Sequence, residues 1–225
     1  MRMVGAVVIS MLLVVGACAT APKTIAIDSA GLSSFKGRTL KSVTQKAPIL
    51  VPMRASNAMF GMLGSLAEVD AGKTYAQKHG IVDPASGIED QLTALLQNRY
   101  GMQASTERLD MTTATENTPY PTAPDVLYVD AKTYYWMQSY FSADWGRFRF
   151  NYSTLIQLVD GATGRAVAQY DCRKVAPEKP QGAPTLAEME ANNGAVANSL
   201  LKGMADTCLS EFEAKVLGMP AAPPA

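Results

Sequence analysis

The sequence predicts an α+β fold: a single compact domain in which helices pack on a mainly antiparallel sheet. Two observations carry this. Segments 147–159 and 165–175 have the composition and alternation of strands, and a turn joins them, Asp160-Gly161-Ala162-Thr163-Gly164. Adjacent strands joined by a tight turn pair antiparallel. Two other segments repeat apolar residues at helical spacing: Ile88, Leu92, Leu95, Leu96 and Tyr100, then Val196, Leu200, Met204, Cys208 and Phe212.

The chain opens with Met1, Arg2 and Met3, an apolar run over 4–17, and then Cys18. That run is shorter than the ~20 residues needed to span a bilayer, and it fits the core of a secretory signal with Arg2 as its positive end. The alternative is an ordinary signal peptide that happens to end at a cysteine. Val15-Gly16-Ala17-Cys18 resembles a bacterial lipobox. The resemblance implies export, diacylglyceryl transfer to Cys18 Sγ, cleavage after Ala17 and acylation of the new amino terminus. One acyl chain holds a protein marginally and two hold it stably, so such an anchor is sufficient alone. Ala19 follows the cysteine where some bacteria use aspartate for inner-membrane retention, which implies the periplasmic face of the outer membrane.

Removing residues 1–17 takes Arg2 from 20 basic residues and leaves 19 against 20 acidic ones. A nearly neutral chain has no overall field to gather nucleic acid, so nucleic acid is not an expected partner. A remaining length just above 200 residues suits one domain with a tether and loops, or at most two small ones. With Cys18 lipidated, Cys172 and Cys208 are left as an even pair in an oxidising compartment, and a disulfide between them is expected. The alternative is two separate buried thiols. His79 is the only histidine, and the two cysteines lack close ligand spacing, so no metal or other cofactor is expected.

Residues 18–44 read as the lipidated cysteine and a flexible tether of small and polar residues. The α+β domain is expected over 45–217 and a disordered tail over 218–225. Ile49-Leu50-Val51 reads as a short buried strand ended by Pro52, which has no N–H for the ladder. Segment 57–69 combines methionines with two glycines. It reads either as a core-packing helix or loop, or as an adaptable surface for a partner or lipid, with Met59, Phe60, Met62 and Leu63 as the contact residues. Asp83-Pro84 marks the start of the first long helix and Gly101 its end. A weak strand falls within 102–111, a proline-bearing loop over 112–125, and a strand over 126–138. Thr185 and Glu188 form a capping box. The helix that follows is expected to pause at Asn192-Asn193-Gly194, with Cys208 on its buried face towards the strand that carries Cys172.

Motifs for chemistry are sparse. Gly72-Lys73-Thr74 lacks the glycine that a phosphate-binding loop needs five residues earlier, where Ala67 stands. No G-x-S-x-G occurs. Aromatics cluster over 134–145. They read either as cross-strand pairs that stabilise a hairpin or as a glycan-stacking surface in which Tyr140, Phe141 and Trp145 are the exposed members.

Pro124-Asp125-Val126-Leu127-Tyr128-Val129 and Leu158-Val159-Asp160-Gly161-Ala162-Thr163-Gly164 resemble the "Ala-Asp-hydrophobic" strand and the "Leu-Val-Asp-x-x-Thr-Gly" hairpin of envelope lipoproteins. These are the proteins related to the TolB amino-terminal domain, the curli-secretion lipoprotein and the penicillin-binding-protein activators. The pattern covers about 45–217. The resemblance implies a compact α+β domain without catalytic residues, one that binds other envelope proteins or assembles into homo-oligomers. The expected role is therefore a non-enzymatic adaptor or assembly subunit in envelope maintenance or transport, with a peptidoglycan-binding module as the alternative. The Met-rich segment and the cysteine pair depart from the family pattern and leave the partner open.

Overall fold

A computed structural model describes residues 23–53, 72, 74–115 and 118–219. Its elements are α1 (Ser29–Ser33), β1 (Thr39–Gln45), β2 (Val51–Pro52), α2 (Ala85–Tyr100), β3 (Gln103–Ala104), β4 (Leu109–Met111), β5 (Val126–Phe141), β6 (Asp144–Asp160), β7 (Arg165–Ala176) and α3 (Leu186–Lys215), with a short helical stretch at 74–78.

The fold is the expected α+β domain. One seven-stranded sheet runs in the order β3-β1-β5-β6-β7, with β2 also on β5 and β4 also on β1. The long ladders β5–β6 and β6–β7 are antiparallel. β1 lies parallel to β5, β3 and β4, and β2 is parallel to β5. The sheet is thus mixed, and mostly antiparallel by length.

Strict alternation builds β6. Phe148, Phe150, Tyr152, Thr154, Ile156 and Leu158 are all buried on one face. α2 and α3 pack on that face through Ile88, Leu92 and Leu96 and through Leu201, Met204, Cys208 and Phe212. Gly101 ends α2 in the left-handed region at φ 66°, where a side chain would be strained. Thr185 and Glu188 form the capping box of α3. Cys172 on β7 and Cys208 on α3 are joined as a disulfide, with Cα atoms 5.7 Å apart, so the bridge staples α3 to the edge strand.

The opposite face carries a smaller apolar cluster of Val43, Met111, Tyr128 and Val159, under Tyr120 and Ala123 of the proline-bearing loop. It covers only the half of the sheet nearest β1.

Four sequence expectations change. The stretch read as tether contributes α1, strand β1 in the interior of the sheet, and Ile25, whose backbone exchanges two hydrogen bonds with Gln169. Ordered structure therefore begins before residue 45. Pro52 does not end β2 but is its second residue, opposite Gln138; its ring is tolerated because β2 is an edge strand. The apolar stripe of α3 holds at Met204, Cys208 and Phe212 but differs at its start, where Val196 is 40% exposed and Ala197 is buried instead. Met219, placed in the tail, is buried in the core.

Candidate functional site

Cys18 and the contact set Met59, Phe60, Met62 and Leu63 lie outside the described residues. The residues flanking the Met-rich segment are described, and they converge. Met53 N–H donates to Gln138 O at 2.8 Å, and the Tyr75 hydroxyl donates to Gln138 Oε1 at 3.0 Å. Gly72 lies against Leu50, so close that a Cβ there would meet Leu50 O at 2.2 Å. Only glycine permits such backbone contact. The described residues on either side of 54–71 therefore meet in one region, beside Gln138 in the second half of β5. Gln138 is fully buried, and its Nε2 has no partner among the described residues.

The aromatic set at the β5–β6 turn divides. Trp145 is 57% exposed, and its ring centroid lies 5.8 Å from that of the half-buried Tyr140. Trp145 Nε1 donates to Ser142 O, which fixes the ring on the turn. Phe141 does not join them. It is buried, with the Arg149 guanidinium 4.9 Å above its ring, because strand alternation puts it on the opposite face from Tyr140, with Ser139 and its partner Arg149. Exposure of Phe141 is thus corrected.

Sequence reasoning missed a polar cleft of about 190 Å³ at the end of β1, lined by Val43–Ala47, Asp83, Glu89, Arg108 and Thr133 among others. Glu89 is 1% exposed. Its Oε1 accepts from the Ala131 amide at 3.0 Å, and its Oε2 is bound by Arg108. Arg108 also donates to Asp90, Thr44 Oγ1 and Val43 O. Asp83 accepts from Thr133 Oγ1 at 2.6 Å and from the Ala85 amide at 3.1 Å. Burial pushes its carboxyl above the usual range against those two bonds. Tyr152 Oη lies 3.2 Å from Thr133 Oγ1, and burial together with the nearby Asp83 pushes its phenol up.

Beneath the proline-bearing loop, Asp130 is fully buried and its Oδ2 accepts from Tyr120, Gln157 and Gln45. Burial raises this carboxyl too, opposed by the three donors and by Lys132. Burial and the neighbouring Asp130 raise the Tyr120 phenol. A signal for Glu89 existed: it falls at helical spacing with Leu92 and Leu96, on the apolar stripe rather than the wet face. Asp130 had none, because the sequence does not say which loop covers its side of the sheet.

These carboxylates hold elements together. Glu89 ties α2 to β5 and to the β3–β4 connection, Asp83 ties the start of α2 to β5, and Asp130 ties the loop to the sheet. Among the described residues, no group of three or more His, Cys, Asp or Glu side chains is placed to hold a metal ion. No described helix is long and apolar enough to cross a membrane. The chain matches no protein-family model and no curated protein sequence.

Proposed function

We propose that this chain is a lipoprotein anchored through Cys18 to the periplasmic face of the outer membrane. It acts as a non-enzymatic adaptor or assembly subunit in envelope maintenance or transport. The observation that carries the reading is the convergence of both flanks of 54–71 on Gln138. The described flanks of the Met-rich segment are both held at a rigid sheet, and binding residues are commonly carried on rigid scaffolds. Methionine side chains adapt to varied apolar partners, which makes Met59, Phe60, Met62 and Leu63 the proposed contact residues.

Two further features support it. The buried carboxylates Asp83, Glu89 and Asp130 each bind groups on neighbouring elements of the fold. A disulfide of the Cys172–Cys208 kind persists in oxidising compartments. The deciding experiment is in-cell crosslinking of the full chain, with mass spectrometry of what is captured. A specific envelope protein, lost in Met62→Asp without loss of folding, supports the adaptor; self-crosslinks alone support a homo-oligomeric assembly. Capture that survives Met62→Asp removes the segment as the interface.

The Trp145–Tyr140 pair favours a second reading, a glycan-binding module, because exposed aromatic faces stack on sugar rings. Retention on isolated peptidoglycan that is lost in Trp145→Ala supports it, and no retention removes it.

A further inference from the structure

We infer that the half of the sheet's outer face that no described helix or loop covers, around Tyr134, Tyr135 and Val175, rests on the headgroup region of the bilayer that holds the anchor. The inference depends on lipidation of Cys18.

The first argument is reach. From Cys18 to Lys23, the first described residue, is five Cα steps, at most about 18 Å of fully extended chain. A domain of this size has a radius of gyration of roughly 16 Å and hence a width of more than about 30 Å, so the tether is shorter than the body it holds. The domain cannot turn freely, and only the surface near Lys23 can meet the membrane.

The second argument is where that tether attaches. Ile25 and Gln169 exchange backbone bonds at 3.0 and 2.8 Å, antiparallel, and Gln169 Nε2 donates to Lys23 O at 2.9 Å. Running back from Ile25 to Lys23, the chain therefore passes along the free edge of β7 from Gln169 towards Asp171. The Ile27 amide donates to Val216 O at 2.9 Å, which fixes the same segment against the end of α3. The described chain thus begins on the side of β7 that leads to Arg173 and Val175, within the reach of the short tether.

The third argument is what that region exposes. Register places Tyr135, Ser153 and Arg173 in one row across β5, β6 and β7, and Met137, Asn151 and Val175 in the next. Among the described residues, α2 and α3 lie on the other face, and the proline-bearing loop packs on the first half of the sheet. Tyr134, Tyr135 and Val175 are 38–40% exposed. The Tyr134 hydroxyl binds Asp171 and accepts from Arg173 Nε at 3.0 Å, so the ring is held in place rather than free. Tyrosines beside an arginine suit a membrane interface, where one end of each side chain is apolar and the other wet. On the helix side of β7, Lys174, Glu211, Lys215 and Tyr170 are bound to one another.

The test uses the full chain produced in bacteria and extracted from membranes. It is reconstituted into phosphatidylethanolamine–phosphatidylglycerol vesicles that carry a diazirine lipid. After irradiation, peptide mass spectrometry locates the adducts, and the mass of the Cys18 peptide reports acylation. Adducts enriched several-fold at 134–137 and 173–175 over the outward side of α2, and reduced in Tyr134→Glu/Tyr135→Glu, are expected. An acylated Cys18 with adducts spread evenly or centred on α2 overturns the docking face alone. A Cys18 peptide without acyl mass removes the anchor, and the docking face with it.

Discussion

Arg108 binds Glu89 across the cleft, joining the β3–β4 connection to a carboxylate that α2 carries into the core. The ion pair is uneven: the Glu89 side chain is 2% exposed and that of Arg108 34%. Removing the arginine leaves a charge with no access to water. Loss of one partner of a buried pair costs about 3–5 kcal/mol, and the wetter arginine places this one at the low end.

Arg108→Met should therefore lower stability by about 3 kcal/mol in urea unfolding. Glu89→Leu/Arg108→Met should cost less than the single change, because no charge is stranded and, beyond the bonds that Arg108→Met already removes, the Ala131 amide alone is added to the unpaired groups. A double variant less stable than Arg108→Met would show that the pair stabilises on its own account.

The Cys172–Cys208 bridge closes a loop with a sequence separation of 36. The chain-entropy model gives about 3–4 kcal/mol for such a loop, through restriction of the unfolded chain. Cys172→Ala/Cys208→Ala should lower the unfolding free energy by that amount with little change in the native circular dichroism spectrum. Both sulfurs are buried, at 1% and 0% exposure, so a mild reductant should act on the native protein only as fast as the domain opens. Rapid reduction without unfolding would contradict that burial.

What could be read from the sequence depended on whether one segment contained its own signal. β6 alternates without interruption, and its turn to β7 is spelled out by Asp160 to Gly164, so the antiparallel ladders were legible. α2 was legible from its stripe and Gly101. β1 was not: Leu40 and Val43 are its apolar core residues, three apart, and buried Ser42 sits between them with its hydroxyl 3.2 Å from Thr93. Parallel pairing has no turn to announce it, so the neighbours of β1 came only with the fold. The start of the α3 stripe was misread because the small residue Ala197, buried where Val196 was expected, carries little hydropathy signal. At the candidate site the disulfide was legible from cysteine arithmetic. The cleft was not, since Asp83, Glu89 and Arg108 are far apart in sequence and look like solvated charges.

Asp130 gives a pH prediction with a definite sign. Burial raises its folded pKa above the ordinary aspartate value of 3.8. Between the two values the native state holds a proton that the unfolded state has released. Stability from this group is therefore full below about 3.8 and falls as pH rises through the folded value. Asp160 runs the other way: burial pushes it up, but the Ala162 amide, Arg38 and Thr163 outweigh that and hold it low, so its contribution is lost as pH falls. Asp130→Asn isolates the first effect. Unfolding free energies across the acid range should show the variant gaining on the wild type as pH rises through the window. Parallel profiles would mean that Asp130 does not bind a proton more tightly when folded.

The pause in α3 is built from three successive left-handed residues: Asn192 at φ 50°, Asn193 at φ 55° and Gly194 at φ 67°. Asparagine tolerates this region and glycine enters it without strain. At Gly194 a second constraint applies, because a Cβ would stand 2.6 Å from His79 O. That carbonyl is backbone and cannot swing aside like a side chain. Asn198 Nδ2 fastens the adjacent Gly80 O at 2.8 Å, and its Oδ1 accepts from the Val82 amide at 3.0 Å. The 79–82 segment is thus fixed against α3 from two sides. Gly194→Ala should destabilise the protein by more than the roughly 1–2 kcal/mol that left-handed strain alone would cost. Asn193→Gly, which removes a side chain without adding a clash, should cost less. If urea unfolding finds Gly194→Ala no worse than Asn193→Gly, the contact with His79 is not a tight one and the 79–82 segment yields to α3.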